Sequence, residues 1–193
     1  DTEALDLSFR LNNINNIFNI TTKPMIVDCD TGGLQEHFSM NVQIMERQGI
    51  SAAIIEDKKG LKKNSLLGNK VKQEQESINK FCDKIVSGNK SKRNDDFMII
   101  ARIESLVLQK GMKDALQRAS AYVEAGANGI MIHSKASNPK EIFEFAKKFR
   151  KEFDSIPLVS VPSTYNHVTE KILIDNGFNI VIYANQLLRA SYY

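Results

Sequence analysis

Three carboxylates stand where two apolar runs of the chain end. Asp28 and Asp30 close the run 24–30 (PMIVDCD), and Glu56 lies near the end of 52–57 (AAIIED). Residues two apart on a strand face the same side, and carboxylates that share a space repel one another unless a cation lies between them. Mg²⁺ fits, because it takes only one or two protein oxygens directly and keeps several waters. For Asp28 and Asp30 alone, helix capping or a solvated loop is the alternative interpretation.

Arg102 and His133 are polar residues at the ends of two further apolar runs, 97–104 (FMIIARIE) and 129–134 (GIMIHS). An arginine in such a run must reach an anion, because an unpaired buried charge is costly. Its planar guanidinium suits a phosphate, phosphonate or carboxylate, although a salt bridge to Glu104 would also satisfy it. His133 could donate to a substrate oxygen or act as an acid or base, and a purely structural role is the alternative.

A lysine-rich loop follows Glu56, in the stretch IIEDKKGLKKNSLLGNK. Such a run is usually a solvated face, but this one directly follows a carboxylate of the predicted site. We expect a lid loop at about 58–69 that closes over an anionic ligand and excludes water. Lys62, Asn64 and Ser65 would supply the ammonium, amide and hydroxyl donors that a phosphoryl group in transit needs.

The composition narrows the class of protein. The chain has 193 residues and a formal net charge of +3, which is too small to indicate nucleic-acid binding. It contains no apolar run of the ~20 residues that a membrane span needs, so neither nucleic acid nor a membrane is an expected partner. Two cysteines, Cys29 and Cys82, give no disulfide framework, and we expect a cytoplasmic protein.

Short apolar runs alternate with longer amphipathic ones, which predicts six β/α units around a parallel sheet. The predicted strands are 24–30, 52–57, 97–104, 129–134, 157–161 and 180–185, and the predicted helices are 4–18, 36–48, 70–87, 112–125, 138–152 and 166–176. Segment 88–96 is expected to be a polar loop.

Two closures of such a sheet are possible, a doubly wound sheet and an eight-stranded barrel that lacks two strands. Charged or polar residues end one strand after another, and in a barrel these ends meet at a single mouth. A doubly wound sheet usually carries a glycine-rich phosphate loop, and DTGG at 30–33 does not match that motif. We therefore predict a single α/β domain over 1–193, a (β/α)₈ TIM-type barrel whose first two strands and last helix are missing from this chain.

The motifs together closely resemble the phosphoenolpyruvate phosphomutase family of the isocitrate lyase/phosphoenolpyruvate mutase superfamily. The resemblance rests on DCDTGG, IEDKKGLKKNS, ARIES, IMIHSK, VPSTY and ANQLLRAS, which cover nearly the whole chain in the family's order. It implies a Mg²⁺-dependent interconversion of phosphoenolpyruvate and phosphonopyruvate.

The resemblance also implies roles for individual residues. Asp28 matches the family's direct metal ligand, and Asp30 and Glu56 match carboxylates that reach the metal through water. DTEAL at 1–5 is similar to the family's DSNEA-like stretch, so Asp1 corresponds to the aspartate that faces the phosphoryl group. Lys62, Asn64 and Ser65 match the gating residues, while Arg102 and His133 match the residues that bind the phosphonate.

Within the superfamily, two alternatives remain, a phosphonopyruvate hydrolase and a carbon–carbon lyase. The lyases usually carry a catalytic cysteine in a KKCGH-like loop, and this chain has Lys-Lys-Asn-Ser there. A non-catalytic protein that binds an acidic partner is a third, remote alternative. The family's last helix packs on a neighbouring subunit, which implies a homodimer or homotetramer with helix exchange for the full-length protein.

Overall fold

The computed structural model describes residues 7–62 and 73–192. In this part of the chain, strands and helices alternate. The strands are β1 (Ile26–Asp28), β2 (Ala52–Glu56), β3 (Met98–Ile103), β4 (Gly129–Ile132), β5 (Leu158–Ser160) and β6 (Ile180–Val181). The helices are α1 (Leu7–Phe18), α2 (Gln35–Arg47), α3 (Ile78–Ser91), α4 (Gly111–Glu124), α5 (Lys140–Phe149), α6 (Glu170–Asp175) and α7 (Gln186–Ala190).

The six strands form one parallel sheet in the order β1-β2-β3-β4-β5-β6. Each strand pairs with the next one along the chain, so the described sheet has no point at which the strand order reverses. A doubly wound sheet requires such a reversal, whereas a barrel has sequential order. The predicted TIM-type architecture is therefore confirmed as a curled, six-stranded part of such a barrel. None of the described helices is long and apolar enough to cross a membrane.

The two faces of the sheet bury separate sets of apolar side chains. The larger set packs between the sheet and its helices and includes Ile55 and Ala101. A smaller set lines the inner face of the curl, and it consists of Ala52, Ile54, Ile100, Met131, Val159 and Val161. Successive residues of a strand alternate between faces. The inner face therefore continues from Ile54 to Glu56, and Asp57 belongs to the outer face.

The third helix differs from its prediction at both ends. The sequence predicted 70–87, but α3 begins at Ile78 and continues to Ser91, so the predicted loop 88–96 starts later. Gly88, taken as the start of that loop, lies inside the helix and is buried. A Cβ atom there would lie 2.6 Å from Phe38 Cε1 and 2.8 Å from Ile99 Cδ1. This glycine is required by close packing between α2, α3 and β3.

Two other predictions concern local structure. The helix predicted at 166–176 covers only Glu170–Asp175, with the Thr169 hydroxyl accepting from the backbone N–H of Ile172 as an N-cap. Cys29 packs against the helical layer, and its sulfur lies 3.5 Å from the Met45 sulfur. Neither Cys29 nor Cys82 forms a disulfide in the described structure.

Candidate active site at the carboxyl ends of the strands

Four neighbouring strands contribute polar residues to the inner side of the curl at their carboxyl ends. Inner-face alternation places Glu56 after Ile54, Arg102 after Ile100 and His133 after Met131. Asp28 ends β1 and is the register partner of Ile54. Glu56 and Arg102 are themselves register partners on β2 and β3. The described residues of the predicted site therefore meet at the end of the sheet where barrel enzymes carry their chemistry.

Lys62 lies between the two aspartates of the first strand end. Its Nζ is 2.9 Å from Asp28 Oδ2 and 3.0 Å from Asp30 Oδ1. Burial works to raise the pKa of Asp28, but the charge and hydrogen bond of Lys62, the backbone N–H of Asp30 and the charge of Arg102 together hold that pKa below its usual value. Lys62 therefore stabilises the ionised form of the Asp28 carboxylate.

Arg10 on α1 supplies a second cation to this cluster. Its guanidinium pairs with the Asp30 carboxylate and donates to the Asp28 carbonyl oxygen at 2.7 Å. No pattern in the sequence indicated this residue, because α1 is far along the chain from its partners and carries no motif. The contact was missed for that reason.

Arg102 is buried between two glutamates. Its Nη1 lies 3.3 Å from Glu56 Oε2, and its Nε donates to Glu104 Oε1 at 2.6 Å. Burial opposes the charge, but both carboxylates raise the pKa of Arg102 above its ordinary value, so the guanidinium remains charged. The salt bridge to Glu104 that the sequence offered as an alternative is present, together with the ion pair to Glu56.

Lys58 completes this second cluster, a role that the sequence analysis did not assign to it. It is 3% exposed, and its Nζ lies 3.3 Å from Glu56 Oε1 and 3.4 Å from Glu104 Oε2. Although burial opposes it, the two cations and His133 lower the pKa of Glu104 to about 2. Burial raises the pKa of Glu56, and the neighbouring Glu104 charge adds to that rise. The pKa values of these two neighbouring carboxylates therefore shift in opposite directions.

His133 is buried beside these charges. Burial, followed by the positive charge of Arg102, lowers its pKa to about 3, so the imidazole is neutral near pH 7. Its Nδ1 is buried and has no hydrogen-bond partner among the residues that the structure describes. A neutral imidazole can donate or accept one hydrogen bond, which favours a ligand-binding role over that of a charged acid.

The three predicted metal carboxylates do not form one ligand cluster. In 7–62 and 73–192, no group of three His, Cys, Asp or Glu side chains lies close enough to hold a metal ion. Instead, Lys62 and Arg10 neutralise the aspartates, and Arg102 and Lys58 neutralise Glu56. The arrangement still fits an ion bound by one direct carboxylate and several waters, since the Asp28 side chain is 55% exposed and already faces a cation.

Asp57 differs from Glu56, its neighbour, because it faces the helical layer. Its carboxylate accepts hydrogen bonds from the Gln75 amide at 2.8 Å, the Tyr122 hydroxyl at 2.7 Å and the backbone N–H of Glu104 at 2.9 Å. Arg118 Nη1 lies 3.2 Å away. Despite these partners, burial raises the pKa of Asp57 to about 6. The side chains of Glu56 and Asp57 therefore lie on opposite faces of the sheet.

Three predicted site residues, Asp1, Asn64 and Ser65, lie outside the described residues, as does most of the predicted lid loop. Their roles stay predictions. The two arms of the loop are described up to Lys62 and from residue 73 onward. Lys58 and Gln75 form an antiparallel bridge between these arms.

Comparison with known proteins points to one family. The sequence model of phosphoenolpyruvate phosphomutase matches residues 1–193. The phosphonopyruvate hydrolase of Variovorax sp. (strain Pal2) is 36% identical over 99% of this chain and 65% of its own length. The crystal structure of a phosphoenolpyruvate phosphomutase from Streptomyces platensis subsp. rosaceus superposes with a TM-score of 0.93 at 34% identity, covering 99% of this chain and 65% of that one.

A third relative is a phosphonopyruvate hydrolase solved in complex with oxalate and Mg²⁺. It superposes with a TM-score of 0.86 at 34% identity and covers 97% of this chain and 63% of that one. The chain spans between 63% and 65% of the length of these three relatives. The mutase and the hydrolases have nearly the same sequence identity to it, between 34% and 36%, so sequence identity does not separate the two reactions.

Proposed function

The chain belongs to the phosphoenolpyruvate phosphomutase family, and from this premise we propose that it interconverts phosphoenolpyruvate and phosphonopyruvate. In that reaction one bond to phosphorus breaks and another forms, as the phosphoryl group moves between C3 and the enolate oxygen of the same three-carbon skeleton. No water is consumed and no second substrate is needed.

The observation that carries the proposal is the juxtaposition of Arg102 with the carboxylates of the neighbouring strands. The guanidinium is charged, buried and 3.3 Å from Glu56, and its charge also lowers the pKa of Asp28. An anion-binding arginine beside carboxylates suited to a divalent cation matches a substrate that carries both a phosphonate and a carboxylate.

The proposal assigns a role to each residue of the predicted site. Asp28 directly, and Asp30 and Glu56 through water, would hold Mg²⁺, which supplies positive charge opposite the pyruvyl oxygens. Arg102 binds the phosphoryl oxygens, and neutral His133 offers one hydrogen bond to the same group. Lys62 adds an ammonium at the mouth, and Asn64, Ser65 and Asp1 are proposed to complete the phosphoryl site. Transfer through Asp1 and transfer through a metaphosphate-like state both agree with this arrangement.

The alternative reaction is hydrolysis of phosphonopyruvate, and the loop residues decide our preference. Lys62 with Asn64-Ser65 supports the mutase, because these donors match that family's gating residues. The lyases are less well supported, since no cysteine stands in the Lys-Lys-Asn-Ser segment.

Phosphorus NMR of the complete protein with phosphonopyruvate and Mg²⁺ tests the proposal. We expect a phosphoenolpyruvate resonance to grow. Inorganic phosphate formed together with pyruvate would identify the hydrolase instead. No change in the spectrum, with the protein folded and Mg²⁺ in excess, would reject both reactions.

We further propose that the complete protein is a cytoplasmic homodimer or homotetramer. The family resemblance supports the oligomer, and the absence of a disulfide at Cys29 and Cys82 in the described structure supports the compartment. Light scattering during size-exclusion chromatography measures the mass directly, and a monomer would contradict it.

A further inference from the structure

The two arms on either side of the lid loop are joined by backbone hydrogen bonds. The N–H of Lys59 donates to the Glu74 carbonyl at 2.8 Å, and the N–H of Glu76 donates to the Asp57 carbonyl at 2.8 Å. Lys62 follows this ladder by three residues and carries the ammonium that faces Asp28. The arm after the loop, residues 73–76, is therefore bonded to the arm that carries Lys62 and helps to fix its position. We call residues 73–76 the returning arm.

Gln75 fixes the returning arm to the body of the protein. It is buried, and its amide nitrogen donates to Asp57 Oδ2 at 2.8 Å and to Ser105 Oγ at 3.0 Å. Asp57 follows Glu56 at the end of β2, and Ser105 follows Glu104 just beyond β3. One side chain thus joins the arm to the ends of both strands that carry the Glu56–Arg102 pair.

Asp57, which accepts from Gln75, is also held by two residues of α4. Tyr122 and Arg118 reach it from α4, at 2.7 Å and 3.2 Å, and Arg118 also donates to the Glu76 carbonyl at 2.9 Å. Of the three side chains that contact the Asp57 carboxylate here, Gln75, Tyr122 and Arg118, only Gln75 belongs to the bridge between the two arms. Removing its amide would loosen the arm, which keeps its backbone bonds and the Arg118 contact, while leaving the contacts between Asp57 and α4 in place.

We propose that Gln75 is a positioning residue that holds the loop arms, and with them Lys62, against the strand ends so that water is kept from the reacting phosphoryl group. This inference rests on the proposed mutase function. It names a residue that favours transfer of the phosphoryl group within the substrate over transfer to water. Lys58 and Lys62 are 3% and 7% exposed, and their ammonium groups lie beside Glu56 and Asp28, so the described arm is packed against the site. If the arms loosen, water can attack phosphorus: the P–C bond breaks, hydroxide joins phosphorus, and the remaining proton goes to C3, which gives inorganic phosphate and pyruvate.

The test compares two variants of the complete protein, each of which removes hydrogen bonding to Asp57. Gln75→Met keeps the length and bulk of the side chain but removes its donors. Tyr122→Phe is the matched control, because it removes a hydrogen bond to the same carboxylate from α4. Phosphorus NMR with phosphonopyruvate and Mg²⁺ gives the ratio of inorganic phosphate to phosphoenolpyruvate, and hydrogen exchange of the free protein reports on residues 57–62 and 73–76.

We expect Gln75→Met to raise the phosphate ratio about tenfold, the size of change that loss of buried hydrogen bonds commonly produces, and to speed exchange in both arms. Tyr122→Phe should lower the melting temperature without either change. Equal phosphate ratios in the two variants would overturn the role in excluding water. Should the wild-type protein lack mutase activity, the exchange experiment still decides: unchanged exchange in Gln75→Met overturns the positioning role itself.

Discussion

Lys62 Nζ lies 2.9 Å from Asp28 Oδ2, so an ammonium faces the carboxylate that we expect to bind the metal. The same ammonium lies 3.0 Å from Asp30. Lys62 and a divalent cation would therefore compete for the same pair of carboxylates, Asp28 and Asp30. This relationship makes the loop and the metal site interdependent.

The first prediction concerns Asp28→Asn. Asparagine keeps an acceptor for the backbone N–H of Asp30, which lies 3.0 Å from Asp28 Oδ1, so the fold should be retained. The Mg²⁺-dependent kcat/KM should fall by more than about a hundredfold, since loss of groups that merely support metal ligands already costs ~10–100-fold. Phosphorus NMR rates over a Mg²⁺ titration measure this. Asp95→Asn, in an exposed loop, is the control and should retain full activity; equal rates for the two variants would exclude Asp28 as the ligand.

The second prediction concerns Lys62→Met. Without the ammonium, the aspartate pair loses a competing cation, and Mg²⁺ should bind about tenfold more tightly, equivalent to ~1.4 kcal/mol. Turnover should nevertheless fall, because Lys62 is proposed to act at the phosphoryl site. Isothermal titration calorimetry with MgCl₂ measures the affinity. Lys59→Met is the matched control, since Lys59 is an exposed lysine of the same loop. Weaker Mg²⁺ binding in Lys62→Met would show that Lys62 supports the metal rather than competing with it.

The third prediction concerns pH and His133. Its pKa is about 3 in the folded protein, whereas an unfolded histidine takes up its proton near ~6.5. Between these values the unfolded chain binds more protons, so stability falls as the pH falls. Urea unfolding should show the wild type losing about 1 kcal/mol more than His133→Asn between about pH 6.5 and pH 5.5.

Substitution of an exposed histidine provides the control for this pH effect. His37→Asn on α2 should follow the wild-type curve, because folding leaves His37 exposed. A wild-type curve parallel to that of His133→Asn would mean that His133 is not held neutral by burial.

The fourth prediction concerns Gly88→Ala. A helical alanine is favoured over glycine by about 1 kcal/mol, but the new methyl group would lie 2.6 Å from Phe38 and 2.8 Å from Ile99. Overpacking of this kind costs about 1–3 kcal/mol, so we expect a net loss of about 1 kcal/mol in the free energy of unfolding. Urea denaturation measures it, with Lys90→Ala at an exposed position of the same helix as the control. A more stable Gly88→Ala would show that the contact can relax.

Much of the fold could be predicted because its signals are local. Six short apolar runs predicted all six strands within a few residues. The structure, not the sequence analysis, showed that Glu56 and Asp57 lie on opposite faces of the sheet. The start of α3 was predicted too early because residues 73–77 are rich in the helix-forming residues Gln and Glu, yet the contacts of Gln75 with distant partners hold them outside the helix. Gly88 was assigned to a loop for a similar reason, since close helix packing leaves no trace in local sequence.

The sequence by itself determined which strands carry acidic and basic ends, because alternation along a strand depends only on residue order. Only the tertiary structure decided which charge meets which. Arg10 joins Asp30 from α1, Lys58 turns inward to two glutamates, and Tyr122 reaches Asp57 across 65 positions. Ion pairs form between residues that are near in space, and the distance between two charges is set by the packing of helices on the curled sheet rather than by their separation along the chain.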